Sequence, residues 1–65
     1  MSGKSDVDEM LKSGKGKVYE KGGERFSVVP DRRRKQIIFH NTSSGGIRFL
    51  GKREAAKEID ALTST

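Results

Sequence analysis

The residues of this chain best suited to chemistry are cations. "PDRRRKQIIFH", residues 30–40, sets Arg32, Arg33, Arg34 and Lys35 in an unbroken row against an apolar run. Guanidinium groups hold phosphates through paired N–H donors, and their planar fork also matches the acceptor edge of guanine. Catalytic candidates are scarcer. The single histidine, His40, is flanked by Phe39 and Asn41, with no carboxylate at a recognised catalytic spacing, and reads as a surface or turn residue. Asp6, Asp8 and Glu9 read as a helix start, and Glu54, Glu58 and Asp60 as a solvated helix face. "GKGK" and "SSGG" lack the strand-before, helix-after setting of a phosphate-binding loop. The absence of cysteine removes thiol catalysis, disulfides and the usual zinc fingers. The expectation is a binder and not an enzyme, with no cofactor, no metal and no small-molecule substrate.

Charge is unevenly distributed along the 65 residues. Lys4 and Lys12 against Asp6, Asp8 and Glu9 leave residues 1–14 at −1, and Lys57 against Glu54, Glu58 and Asp60 leaves residues 54–65 at −2. The segment between, 15–53, sets eleven Lys and Arg against Glu20, Glu24 and Asp31, for +8. Positive charge gathered in this way concerns anionic partners, not the fold. Arg outnumbers Lys there, which suits bidentate contacts to phosphate and base edges. No apolar run approaches the ~18 residues of a membrane span, and no signal-peptide core is present, so the expected location is cytoplasmic, away from membranes.

Such a short chain can build one small core. Ser5 is expected to cap a short helix with Asp8 three positions on, Val7, Met10 and Leu11 sharing a face and Gly14 ending it. So short a helix is marginal alone. The expectation for residues 1–16 is therefore a flexible segment with a short helix, frayed or ordered only by docking, leading through "KSGKGK" into a single α+β domain at 17–65.

In "KVYEKGGERFSVV" the Gly22-Gly23 pair predicts a two-residue hairpin in which Tyr19 faces Phe26 and Glu20 faces Arg25. Tyr19, Phe26 and Val28 then point to the core and Glu20, Arg25 and Ser27 away from it. Pro30 ends that strand. "KQIIFH" supplies a third strand with Ile37 and Phe39 inward and Ile38 and His40 outward. "IRFL" supplies a fourth, with Ile47 and Phe49 inward and Arg48 outward. In "GKREAAKEIDAL" the positions Ala55, Ala56, Ile59 and Leu62 recur at helical spacing. The predicted architecture is a three- or four-stranded antiparallel sheet with one C-terminal helix on one face and the other face open. That open face carries Arg25, Ser27 and Arg48, beside the Arg-rich turn.

The succession of a Gly-turn hairpin, "ERFSVV", a further strand and "GIRFLGKREAAKEIDAL" resembles the three-strand-plus-helix DNA-binding domains of phage-type tyrosine recombinases and plant ethylene-response factors. The likeness covers residues 17–62 at the level of pattern, and the chain lacks tryptophan. It implies a sheet face laid in the major groove, with Arg25, Ser27 and Arg48 as readers and Arg32, Arg33, Arg34 and Lys35 on phosphates. Lys52 and Arg53 complete the candidate interface. The expected partner is nucleic acid, double-stranded DNA in particular, bound by a small regulator of phage or plasmid type. The alternative is a protein-binding modulator that uses the open sheet face, an edge strand or the amphipathic "VDEMLK" segment. Single-stranded RNA is disfavoured because Tyr19, Phe26, Phe39 and Phe49 are all assigned to the core.

Overall fold

Gly22 and Gly23 set the register of the first hairpin. Both have positive φ, 59° and 82°, in the computed structural model, which describes residues 3–63. They join β1 (Lys17–Lys21) to β2 (Glu24–Asp31), pairing Tyr19 with Phe26 and Glu20 with Arg25 as the turn requires. β3 (Gln36–Asn41) and β4 (Ile47–Gly51) continue an antiparallel sheet of order β1-β2-β3-β4. Pro30 does not end β2, which runs on to Asp31 with Pro30 opposite Ile37. β1 begins opposite Val28, so at Pro30 the strand has a neighbour on one side only, where proline is tolerated.

The turns joining β2 to β3 and β3 to β4 are built alike. Each places four residues between a paired acidic or amide residue and its partner, 32–35 after Asp31 and 42–45 after Asn41. The Asp31 carboxylate accepts from the Arg34 N–H (3.4 Å), and the Asn41 side-chain oxygen accepts from the Ser43 and Ser44 N–H groups (2.9 and 3.1 Å). The fourth position is left-handed in both. Gly45 fills it at φ 85° in one turn, while Lys35 fills it at φ 53° in the other and is the only described non-glycine residue with positive φ.

Two helices cover one face of the sheet. α1 (Gly3–Ser13) and α2 (Lys52–Thr63) pack on each other and on the strands, enclosing Val7 and Met10 from α1, Val28, Ile37 and Phe39 from the sheet, and Ala55 and Ile59 from α2. The helices meet closely at Gly3. A Cβ there would overlap the Ala56 carbonyl, and the Gly3 N–H donates to the Asp60 carboxylate at 2.6 Å. α1 also docks through Asp6, whose buried carboxylate accepts from the Tyr19 hydroxyl (3.1 Å) and lies 3.6 Å from the Lys17 ammonium, itself 3.3 Å from Glu9.

Two further expectations are corrected. The helix in residues 1–16 is packed into the core of residues 17–63 and is not a separate frayed segment, because its short apolar face is completed by α2 and the sheet; residues 1–2 and 64–65 of the two expected spans lie outside the described residues. In β4 the faces are inverted. Ile37 pairs with Leu50 and Phe39 with Arg48, so Leu50 and Arg48 lie on the helix-covered side and Ile47 and Phe49 on the open one. The cause is the four-residue loop, which pairs outward-facing His40 with Ile47 and so transfers the outward phase to Ile47 and Phe49.

Candidate nucleic-acid interface

The sheet register gathers the basic residues. Asp31 pairs with Gln36 and Gln36 with Gly51, so the 32–35 turn and the start of α2 stand at the same end of the sheet. Arg32, Arg33, Arg34 and Lys35 are thereby brought beside Lys52 and Arg53, all of them exposed. The α1–β1 connection reaches this end too. Lys15 lies just before β1, and the Arg32 side chain runs against Gly14, whose added Cβ would stand 3.3 Å from the Arg32 guanidinium. Lys52 and Arg53 also border an open cleft of about 330 Å³ between the beginnings of the two helices, to which Lys4 adds a further cation and Asp8 an acid.

Pairing divides the cations into two sets. Lys17 is held by Asp6 and Glu9, Arg25 by Glu20 at 2.8 Å, Arg48 by Glu58 at 3.2 Å, and Lys21 donates to the Ala61 carbonyl. Among the described residues, no side-chain hydrogen bond or ion pair engages Lys15, Arg32, Arg33, Arg34, Lys35, Lys52 or Arg53. Lys4, Lys12 and Lys57 are likewise unengaged, Lys4 bordering the cleft with Lys52 and Arg53, so seven of the ten unpaired cations stand at the basic end. Acids near it are few: Asp31 is engaged with the turn backbone, and Glu54 stands in the first turn of α2.

The nine residues expected at the interface therefore separate in space. Six of them, Arg32 to Lys35 with Lys52 and Arg53, form the basic end. Arg25 and Ser27 lie on the open sheet face, as expected, but Arg25 is tied to its cross-strand neighbour Glu20. Arg48 is on the opposite face, over the Phe39 ring at 5.9 Å from its centre, and a position in a groove facing the open side is closed to it. Lys15 belongs to the basic end although motif reading passes over it. Its signal is topological, since the residue preceding β1 must lie near the end of β2.

The open face is chiefly apolar. Val18, Val29, Ile47 and Phe49 are 62%, 41%, 56% and 57% exposed, and Ile38 lies among them. His40 sits between Ser27 and Ile47 on the same face. Phe49 is therefore not a core residue, and the ground for assigning every aromatic ring to the core falls away. Among the described residues no group of three or more His, Asp or Glu side chains could hold a metal ion, and no helix is long and apolar enough to cross a membrane. Comparison with protein-family models, curated proteins and solved structures returned no match.

Proposed function

We propose that this chain binds nucleic acid, double-stranded DNA in particular, by holding its phosphates at the basic end. The observation that carries the reading is the sorting of cations: of the ten Lys and Arg side chains without a partner among the described residues, seven stand together at the end of the sheet where Gln36 pairs with Gly51, while Lys17, Arg25 and Arg48 are matched by acids. Unpaired Lys and Arg are free to neutralise phosphates and so release the cations condensed on a duplex, and that release drives binding at low salt. Contacts of this kind fix position without reading sequence. The base-edge readers implied by the family resemblance are not part of the proposal, because Arg48 faces the helices and Arg25 is held by Glu20.

The test is a titration of fluorescently labelled duplex DNA at several salt concentrations. The expected result is an affinity that falls linearly on a log–log plot, with a slope of about −0.9 for each phosphate neutralised. Folded protein that fails to bind duplex DNA at low ionic strength would overturn the proposal. The protein-binding alternative rests on a different observation, the exposed apolar residues of the open face.

A further inference from the structure

The apolar rows of the open sheet face fit a second copy of this chain. The register sets two rows across the four strands. One reads Val18, Ser27, His40, Ile47, and the next reads Val29, Ile38, Phe49 across β2 to β4. The first row has the same character read from either edge: apolar, polar, polar, apolar. Turned about a two-fold axis along the strands and laid on itself, it brings Val18 over Ile47 and Ser27 over His40, while Val29 comes over Ile38 in the second row. Apolar meets apolar, and the two polar groups meet each other at the centre. That self-complementarity is what an isologous contact requires.

We infer that two copies associate through these faces into a four-on-four β-sandwich. Charge on the face favours a copy over a polyanion. Its one arginine, Arg25, is neutralised by Glu20, Asp31 shares the face, and the free cations stand at the end of the sheet. The side chains that protrude are mostly β-branched aliphatics, which interdigitate well between sheets and, with Phe49 and His40 the only rings among them, offer bases little to stack on. Four strands at ~4.8 Å and rows of a few residues at ~3.4 Å give a projected footprint of about 300 Å² a copy, below the standard specific interface and in the range of weak, transient ones. The dimer is therefore in equilibrium with monomer. The two-fold axis also sets both basic ends side by side, so salt strengthens the dimer by screening their repulsion, opposite in sign to its effect on DNA binding.

Sedimentation of the full chain over a concentration series tests this directly. The expected mass rises from 7.2 kDa towards twice that value as concentration approaches about 1 mM, and the transition moves to lower concentration with added salt. Phe49→Ser and Val18→Ser should each shift the midpoint to at least roughly tenfold higher concentration while the far-ultraviolet spectrum stays unchanged. In the wild type, dilution should move the amide resonances of the two rows and not those of the helices, a measurement that needs no variant. A monomer throughout the series, a dimer indifferent to both substitutions, or dilution shifts confined to the helices or the basic end would each overturn the inference. The DNA reading fails separately. Neutralising Arg32, Arg33 and Arg34 should leave the dimer intact, and Phe49→Ser should leave salt-sensitive DNA binding in place.

Discussion

The Arg48 guanidinium lies against the Glu58 carboxylate, with Nη2 to Oε2 at 3.2 Å and Nη1 to Oε1 at 3.4 Å, on the side of the sheet that the helices cover. The pair links β4 to α2 across ten residues of sequence, and the arginine stem carries its charge over the Phe39 ring. Both partners keep considerable solvent exposure, so the pair is worth little in screened surroundings. Arg48→Ala should lower stability by about 0.5–1 kcal/mol in a denaturant titration, from the ion pair and the cation–ring attraction together.

The inverted phase of β4 separates two phenylalanines that look equivalent in the sequence. Phe39 is 2% exposed at the centre of the core, whereas Phe49 projects from the open face. Phe39→Ala should cost about 3–5 kcal/mol and unfold so small a domain at moderate temperature. Phe49→Ala, measured at dilute concentration, should cost less than about 1 kcal/mol. Thermal melts of the two variants side by side check the assignment.

Met10 is fully buried between α2 and the sheet although it comes from the segment that the sequence sets apart. Met10→Ala should therefore destabilise the whole domain by about 2–5 kcal/mol, with β-sheet and helix signals disappearing in one transition. A melt in which α1 unfolds first and the sheet transition is unmoved would show that α1 is not part of the cooperative unit.

Much of the fold is readable from local chemistry. The Gly22-Gly23 pair dictates the first register, and alternation along "RFSVV" and "QIIFH" places Val28, Ile37 and Phe39 inward, because each of those strands has apolar residues on one clear phase. "IRFL" has no such clarity. Ile47 and Phe49 form a more apolar phase than Arg48 and Leu50, and only the pairing partner decides between them. That partner is set by the 42–45 turn, whose length is visible but whose hydrogen bonding is not. The docking of α1 is hidden for a related reason. Val7 and Met10 need a surface that only the finished sheet and α2 provide, and Gly3 shows its purpose only against the Ala56 carbonyl. The basic end is half legible: the Arg run is evident in one dimension, but its meeting with Lys52, Arg53 and Lys15 is a product of register.

Tyr19 makes the stability of the α1 docking contact depend on alkaline pH. Burial first, and then its hydrogen bond to Asp6, push the hydroxyl above its ordinary value of 10.0, and the Glu9 hydrogen bond, outweighing desolvation, raises Lys17 above 10.5. A raised value in the folded state means that the proton is held more tightly there than in the unfolded chain. Stability from these groups is therefore fully present below pH 10 and declines as pH rises above it. Denaturation midpoints measured from pH 8 to 11 should be level and then fall, and Tyr19→Phe should make the fall shallower.

Lys35 holds in the 32–35 turn the left-handed position that Gly45 holds in the matching turn. A side chain there costs ~1–2 kcal/mol in local conformation, and glycine returns part of that as chain entropy, so Lys35→Gly should raise stability by up to about 1 kcal/mol. The same substitution should weaken duplex binding and lower the magnitude of the salt slope by about 0.9, because the ammonium it removes is unpaired. Stability and binding moving in opposite directions would mark Lys35 as a residue kept at a strained position for its charge. A loss of stability on substitution would mean instead that the turn relies on the lysine side chain for its own structure.

The cations can be apportioned by the same salt dependence. Neutralising Arg32, Arg33 and Arg34 together should weaken binding to all duplex sequences alike, and each phosphate left without its cation should reduce the magnitude of the slope by about 0.9. Lys52→Ala with Arg53→Ala should act in the same direction, since register places those residues beside the turn. Lys15→Ala tests the residue that only the topology adds. Arg25→Ala and Arg48→Ala should leave both slope and affinity nearly unchanged, because each cation is already matched by a carboxylate, Glu20 in one case and Glu58 in the other. Titrations of all five variants at matched salt would decide between the basic end and the open face. A slope that survives the triple substitution but falls with Arg25→Ala would move the phosphate site onto the sheet, and with it the apolar rows assigned to a second copy.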